Sequence, residues 1–227
     1  MSNPSQSPNS IMLTAPDMKA AMAFYVNICG FELKESWPSE EDPMWMNLDL
    51  NGQSAMMGAP MDPAKVGEMG ADNSKELAWF QSVAEEWQNN KPGVGTMFYF
   101  MVEDVDAFHA EVVQRGGTPA TDPKTQFYGL RDFGIMDPSG YRLVFYTPVA
   151  MENCQSCGMP LAEAKPGDMY CNYCLADDGK LKPFEEVLEG TIQGYFMGMQ
   201  KMERAEAEVA AKEMLLKMPA WNPETCG

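Results

Sequence analysis

The sequence predicts an α+β fold built from two copies of a strand–helix–strand–strand–strand (βαβββ) module, followed by a cysteine-rich unit and a C-terminal helix. Three observations predict it. Helix and turn signals recur at an offset of 87 residues, alternating strand-like segments surround them, and two Cys-x-x-Cys pairs follow the repeat.

The helices of the two modules carry matching signals at both ends. Asp17 precedes the apolar-periodic stretch Met18 to Ile28, and Gly30 closes it. Asp104 and Gly117 frame a similar stretch 87 residues later, with the same spacing of 13 between Asp and Gly. Aspartate favours the N-cap of a helix and glycine its C-terminal end, so each pair delimits one helix.

Alternating strands and turn signals complete each module. Ser10 to Thr14 and Met97 to Met101 precede the helices. Asn51-Gly52 is a hairpin signal, and the same offset leads into the turn sequence Asp137-Pro138-Ser139-Gly140. The strands predicted around these turns are 44–50 with 53–58, and 131–136 with 141–147.

The composition is that of a folded, acidic chain. Hydrophobic residues make up 45%, and 16 basic against 33 acidic residues give a net charge of −17. This balance argues against binding to nucleic acid or to an anionic membrane surface. No apolar run approaches the roughly 20 residues that span a bilayer. Residues 1–8 lack the pattern of a signal peptide, so we expect a disordered tail in a soluble cytoplasmic protein.

Several motifs resemble the vicinal oxygen chelate superfamily, which includes glyoxalase I, bleomycin-resistance proteins and extradiol dioxygenases. They are the segment from Asp137-Pro138-Ser139-Gly140 to Leu143, the segment Tyr128-Gly129-Leu130-Arg131, and the pattern from Asp17 through Phe24-Tyr25 to Gly30-Phe31. The resemblance covers about residues 9–148. It implies eight strands that form an open barrel-like sheet around one cavity.

Strand alternation predicts which side chains face that cavity, although a one-residue slip would reverse each assignment. The aromatic members could stack on a planar ligand or hydrogen-bond to it, and core packing is the alternative for each of them. The predicted ligand pocket consists of Ser10, Met12, Trp45, Asn47, Met97, Tyr99, Tyr128, Val144 and Tyr146.

The resemblance also implies where a metal would bind. Metal-dependent members carry ligands at positions that correspond to Ser10, Met57, Met97 and Val144 of this chain. None of these is a histidine or a glutamate, which divalent ions favour, so we expect no metal in the cavity. We predict no catalytic residue: His109 is expected to be a structural helix residue, and Asp49 to flank the Asn51-Gly52 turn.

The four cysteines Cys154, Cys157, Cys171 and Cys174 form the most specific chemical signal in the chain. Two Cys-x-x-Cys pairs with 13 residues between them can hold Zn²⁺ tetrahedrally. The segment resembles a small zinc-ribbon family, which implies a structural Zn²⁺ site in residues 149–182. Cys29 and Cys226 are expected to be free thiols.

Two further segments are predicted to be helical. Residues 183–227 begin with an apolar stripe from Phe184 to Met202, which could pack on the ribbon, on the first domain or on a second subunit. The stretch Glu203 to Lys217 is charged and alanine-rich, with little to bury. The connector of about residues 59–95 contains a possible helix from Ser74 to Gln88, either a lid over the cavity or a helix on the outer wall.

Three functions remain open from the sequence. The first is a small-molecule binding protein, or an atypical glyoxalase-like enzyme, with a metal-free cavity in a chain that could dimerise. Binding of an apolar or aromatic molecule is favoured within this hypothesis. The second is a metal-dependent lyase or dioxygenase of the same superfamily. The third is an adaptor whose C-terminal region binds a protein partner.

Overall fold

The computed structural model describes residues 11–62 and 74–222. The chain divides into two compact units, which we call the N-terminal unit (Met1–Lys124 with Asp132–Thr147) and the ribbon unit (Thr125–Arg131 with Pro148–Gly227). The predicted tail over residues 1–8, Ser10 and Cys226 lie outside the described residues.

The first module has the predicted element order, and its turn has the predicted chemistry. Asp17 caps the helix by accepting a hydrogen bond from the Ala20 N–H at 2.9 Å. Asn51 and Gly52 both adopt positive φ, at 53° and 83°, as a two-residue hairpin turn requires. The elements are β1 (Ile11–Thr14), α1 (Met18–Met22, continued by the π-helical segment Ala23–Ile28), β2 (Glu32–Trp37), β3 (Trp45–Leu50) and β4 (Gln53–Gly58).

The second module repeats this order after the connector helix α2 (Ser74–Asn89). Asp104 caps its helix by accepting from the N–H groups of Asp106 and Ala107, both at 3.0 Å. The Asp137 carboxylate closes the later turn by accepting from the Ser139 and Tyr141 N–H groups. The elements are β5 (Met97–Met101), α3 (Val105–Gln114), β6 (Lys124–Thr125), β7 (Leu130–Met136) and β8 (Arg142–Pro148).

The eight strands form two four-stranded sheets with equivalent topology. Their orders are β1-β4-β3-β2 and β5-β8-β7-β6. In each sheet the first strand is parallel to the last strand of its module. The predicted α+β duplication is therefore confirmed, with the strands divided between two sheets.

One apolar core joins the two modules inside the N-terminal unit. The helix-facing side chains of both sheets belong to one buried cluster. Phe31 of the first module meets Phe100 of the second edge to face, with ring centroids 5.1 Å apart. Burial of each such ring contributes about 1.5–3 kcal/mol, so the core holds the two sheets together.

The ribbon unit has its own core of cysteines and helices. Its helices are α4 (Phe184–Thr191, continued by the π-helical segment Ile192–Met199) and α5 (Arg204–Leu215). The apolar stripe of α4 packs with the cysteine segment, one of the three arrangements left open by the sequence. The expectation that the last helix buries little is wrong, because Ala207, Ala211 and Leu215 on α5 are fully buried. None of the described helices is long and apolar enough to cross a membrane.

Candidate functional site

The first sheet presents a row of predicted pocket residues on the face opposite the core. Met12 pairs with Met56 across β1 and β4, and Asn47 lies opposite Met56 on β3. Trp45 lies on the same face, because it is two residues before Asn47 on β3. The Asn47 carboxamide oxygen accepts a hydrogen bond from the Ser54 hydroxyl at 2.9 Å, which fixes its orientation.

The second sheet presents the equivalent row. The register pairs Met97 with Arg142, Tyr99 with Val144, and Met101 with Tyr146. These side chains share the face opposite the core, because Phe100 and Phe145, on the alternate positions, are buried. The rings of Tyr99 and Tyr146 lie 6.0 Å apart, edge to face. We call the two rows together the open face.

Four side chains of the open face are largely exposed in the single chain, whereas Asn47 is buried. Met97 is 61% exposed, Met101 49%, Tyr99 48% and Met12 46%. Met97, Tyr99 and Met101 share one face of one sheet, and exposed apolar side chains grouped in this way are typical of a binding surface. The second sheet thus presents exposed apolar side chains on the face opposite the core.

One position transferred from the family is wrong by a single residue. Met57 is fully buried in the core, and Met56 occupies the place on the open face that corresponds to Val144. The reason is the length of the turn. Leu50 pairs with Gln53 across two residues, whereas Asp137 bonds to Tyr141 across three. The repeat offset therefore grows from 87 to 88 after the turn.

Tyr128, His109 and Asp49, which were also considered from the sequence, make contacts of different kinds. Tyr128 belongs to the ribbon unit, where its ring meets that of Phe127 with centroids 5.1 Å apart. The His109 ring contacts the buried Phe133 ring at 4.9 Å. Asp49 accepts from the Gly52 N–H at 3.0 Å, so it flanks the turn as expected.

The four cysteines of the ribbon unit converge on one point. Their Sγ atoms all lie within 4.8 Å of one another, with 3.7 Å between Cys157 and Cys171 and 3.6 Å between Cys171 and Cys174. A tetrahedral site with Zn–S bonds of ~2.3 Å has sulfur–sulfur edges of about 3.8 Å. Among residues 11–62 and 74–222, this is the one group of three or more His, Cys, Asp or Glu side chains with metal-ligand geometry.

The donor chemistry of this cluster also fits a thiophilic divalent ion. The thiols of Cys157 and Cys174 donate to Cys154 and hold the pKa of Cys154 far below its ordinary range. The hydrogen bond that the Cys157 thiol donates to Cys154 raises the pKa of Cys157 to about 12. The Cys171 N–H donates to the Cys154 sulfur at 3.3 Å. Four close sulfurs favour loss of protons to a shared cation, which is the behaviour of a thiolate metal centre.

The C-terminal segment forms hydrogen bonds with the two residues between Cys154 and Cys157. The Trp221 indole N–H donates to the Ser156 carbonyl at 3.0 Å, and the Ala220 N–H donates to the Gln155 carbonyl at 3.1 Å. The Trp221 ring also meets the Phe184 ring, with centroids 5.2 Å apart. The two hydrogen bonds were not predicted from the sequence, because they join segments 65 residues apart.

The fold and the cysteine cluster define a paired βαβββ protein joined to a ribbon whose four cysteines could bind a metal ion. A sequence model described as "Glyoxalase/Bleomycin resistance protein/Dioxygenase superfamily" matches residues 7–145, more than half of the chain. The chain belongs to this superfamily. A second model, described as "Putative zinc ribbon domain", matches residues 153–222 and so includes α4 and α5.

Solved structures are similar to the chain at low identity. TioX from Micromonospora sp. ML1 is 19% identical, with 61% of this chain and 95% of that chain covered and a TM-score of 0.44. A glyoxalase/bleomycin resistance protein/dioxygenase from Nocardioides is 14% identical, with 72% and 89% covered and a TM-score of 0.45. A superfamily member from Sphaerobacter thermophilus DSM 20745 is 21% identical, with 61% and 94% covered and a TM-score of 0.42. A search among curated proteins finds no match.

Proposed function

We propose that the protein binds a small apolar or aromatic molecule on the open face without a divalent metal there, and that the ribbon holds a structural Zn²⁺. The observation that carries this proposal is the exposure of Met97, Tyr99, Met101 and Met12, each on the face of its own sheet that lies opposite the core. Thioether and phenol side chains offer an adaptable apolar surface with hydroxyl groups at its edge.

Binding, rather than turnover, agrees with the surroundings of the acidic and basic groups. The Asp49 carboxylate is engaged by its turn, and the His109 ring packs against Phe133. The buried Asp137 carboxylate accepts from two backbone N–H groups and the Tyr25 hydroxyl. None of these groups is arranged as the acid–base pair or activated nucleophile that catalysis would need.

A second copy of the chain is the cover that we propose for the open face. An apolar surface of this kind loses stabilisation when it faces water, and a symmetric dimer would bury it. The ligand would then lie between the two copies. Size-exclusion chromatography with light scattering tests the cover: a dimer that Tyr99→Asp converts to monomer supports it, and a monomeric wild-type protein contradicts it.

The Zn²⁺ proposal concerns folding rather than chemistry at the metal. Cys154, Cys157, Cys171 and Cys174 would supply all four ligands, and a bound Zn²⁺ would cross-link the two Cys-x-x-Cys turns. A site closed by four protein ligands leaves no position for a substrate. Cysteines that bind Zn²⁺ must not be joined in disulfides, which agrees with a reducing compartment. We therefore place the protein in the cytoplasm.

Ligand binding is tested with a library of planar aromatic compounds and isothermal titration calorimetry. We expect Tyr99→Ala to weaken the best binder at least about tenfold, the effect of roughly 1.4 kcal/mol. The control is Val113→Ala, an exposed apolar residue of α3. Equal binding by wild type and Tyr99→Ala contradicts the proposal.

The ribbon unit offers a second candidate function. Tyr173 is 76% exposed and Met199 72% exposed, which favours a protein partner for this unit. A pull-down from lysate separates the two functions: capture that requires Tyr173 and Met199 but not Tyr99 supports the adaptor function.

A further inference from the structure

A small cavity lies in the N-terminal unit, beside the connector helix α2. Its volume is about 170 Å³, and it shares no side chain with the predicted ligand pocket. Strand ends, the C-terminal end of α2 and the start of β8 form its walls. The residues that shape it are Thr14, Pro16, Pro60, Trp87, Pro92 and Tyr141.

We propose that this cavity binds a neutral, single-ring aromatic molecule whose carbonyl oxygen accepts a hydrogen bond from the Tyr141 hydroxyl. None of the residues that line the cavity belongs to the predicted ligand pocket, and the proposal does not depend on the function proposed for the open face.

The Tyr141 hydroxyl provides the polar anchor. Tyr141 is 8% exposed, and its oxygen accepts a hydrogen bond from the Thr14 N–H at 3.0 Å. The hydroxyl therefore still has its own proton to donate, and none of the residues in 11–62 and 74–222 accepts it. A buried phenol normally donates to a partner, so a ligand carbonyl in the cavity would complete its hydrogen bonding.

Three prolines make part of the cavity wall rigid. Proline rings hold a fixed backbone angle, and three of the lining residues are prolines. Gly93 lies so close to the Gly140 carbonyl oxygen that a Cβ atom at Gly93 would be 2.4 Å from it. The segment after α2 is thus fixed against the turn that precedes Tyr141. A preformed site of this kind needs little ordering when a ligand binds.

Size and charge restrict the ligand to one neutral ring. A cavity of about 150 Å³ holds benzene in another protein, so a volume near 170 Å³ admits one ring with a small substituent. The Trp87 indole supplies an aromatic surface for stacking. Glu86 and Lys91 both line the cavity, and their opposite charges favour a ligand without net charge.

The test uses benzamide, which carries the carbonyl, and toluene, which lacks it. The full-length protein is titrated with each compound while ¹H–¹⁵N spectra follow the amide of Thr14. We expect both compounds to shift the Thr14 amide, and benzamide to bind more tightly. Tyr141→Phe is expected to weaken benzamide about five- to tenfold and to leave toluene unchanged, because it removes the hydrogen bond to the ligand carbonyl and keeps the ring.

Three further variants locate the site and keep the result interpretable. Trp87→Ala is expected to weaken both compounds at least about fivefold by removing the stacking surface. Trp79→Ala, which changes a 62% exposed tryptophan of the same helix, and Tyr99→Ala on the open face are expected to change neither. The proposal is overturned if the Thr14 amide does not shift, if Tyr141→Phe binds benzamide as well as wild type, or if Tyr99→Ala rather than Trp87→Ala abolishes binding.

Discussion

The hydroxyl of Tyr141 accepts a hydrogen bond from the backbone N–H of Thr14, 3.0 Å away and 127 residues earlier in the chain. An equivalent contact joins the corresponding residues of the other half of the repeat. Gln53 occupies the position equivalent to Tyr141, and Met101 the position equivalent to Thr14. The Gln53 carboxamide accepts from the Met101 N–H and donates to the Met101 carbonyl, both at 2.8 Å. Each module therefore uses the residue after its turn to hold the first strand of the other module.

These two contacts should differ in strength, because only the Thr14–Tyr141 bond is buried. We expect Tyr141→Phe to lower the free energy of unfolding of the N-terminal unit by about 1–3 kcal/mol, since it leaves a buried N–H without a partner. Gln53→Ala should cost less than about 1 kcal/mol, because water can replace its bonds. Urea unfolding followed by near-UV circular dichroism measures both. A larger loss for Gln53→Ala than for Tyr141→Phe would contradict the account.

The hairpin turn of the first module gives a second prediction. Gly52 has a φ of 83°, and no atom lies within 4 Å of the place where its Cβ would be. Backbone conformation alone therefore penalises Gly52→Ala, and we expect a loss of about 1–2 kcal/mol. Thermal unfolding measures it.

A matched control for that change is available in α4. Gly190 is also in open space but has helical backbone, so Gly190→Ala should stabilise the ribbon unit by about 0.5–1 kcal/mol. Destabilisation by both changes to a similar extent would mean that positive φ is not the cause.

The buried Asp137 carboxyl gives a prediction about pH. Burial raises the pKa of Asp137, and the hydrogen bonds from the Tyr141 N–H and the Tyr25 hydroxyl partly oppose this. Tyr25→Phe removes one donor to the charged form, so it should raise the pKa of Asp137 further. Carboxyl ¹³C chemical shifts measured against pH report that pKa directly. An unchanged or lower pKa in Tyr25→Phe would contradict this.

The raised pKa of Asp137 also determines how the free energy of unfolding changes with pH. Because the pKa of folded Asp137 is raised, its stabilising contribution is complete below the unfolded pKa, about 3.9. The contribution is lost as pH rises through the folded pKa. We expect this loss to extend to higher pH in Tyr25→Phe, as measured by urea unfolding at a series of pH values.

The contacts of Trp221 with the first cysteine pair predict the kinetics of metal release. Trp221→Ala removes the hydrogen bond to the Ser156 carbonyl and the ring contact with Phe184. We expect Zn²⁺ to pass to a chromophoric chelator several-fold faster, because the ligands lose their support. Tyr173→Ala is the control, since Tyr173 is 76% exposed between the ligands Cys171 and Cys174. Equal rates for Trp221→Ala and wild type would show that this contact does not hold the site.

The parts of the fold that depend on local signals were predictable from the sequence. Asp17 and Asp104 predict the starts of the two helices, because each side chain caps one. Asn51-Gly52 predicts the hairpin, because both residues adopt positive φ. The position of Met57 was not predictable, because a turn longer by one residue reverses the faces of the following strand. The burial of α5 was missed because its stripe of Ala207 and Ala211 has little hydrophobic signal.

The site shows the same division between local and long-range information. The sequence spacing of Cys154, Cys157, Cys171 and Cys174 implies a cluster, which the structure forms. Alternation indicates the side chains of the open face, but it does not reveal that Met97 is exposed. The cavity beside Trp87 combines segments from four parts of the chain, so no local pattern points to it.

Anomalous X-ray diffraction at the zinc edge, on crystals of the full chain grown with divalent metal available, tests the central claim most directly. The account predicts one peak within the tetrahedron of Cys154, Cys157, Cys171 and Cys174 and none on the open face. A peak of any transition metal beside Met97 and Val144 would contradict it and would favour a metal-dependent lyase or dioxygenase instead.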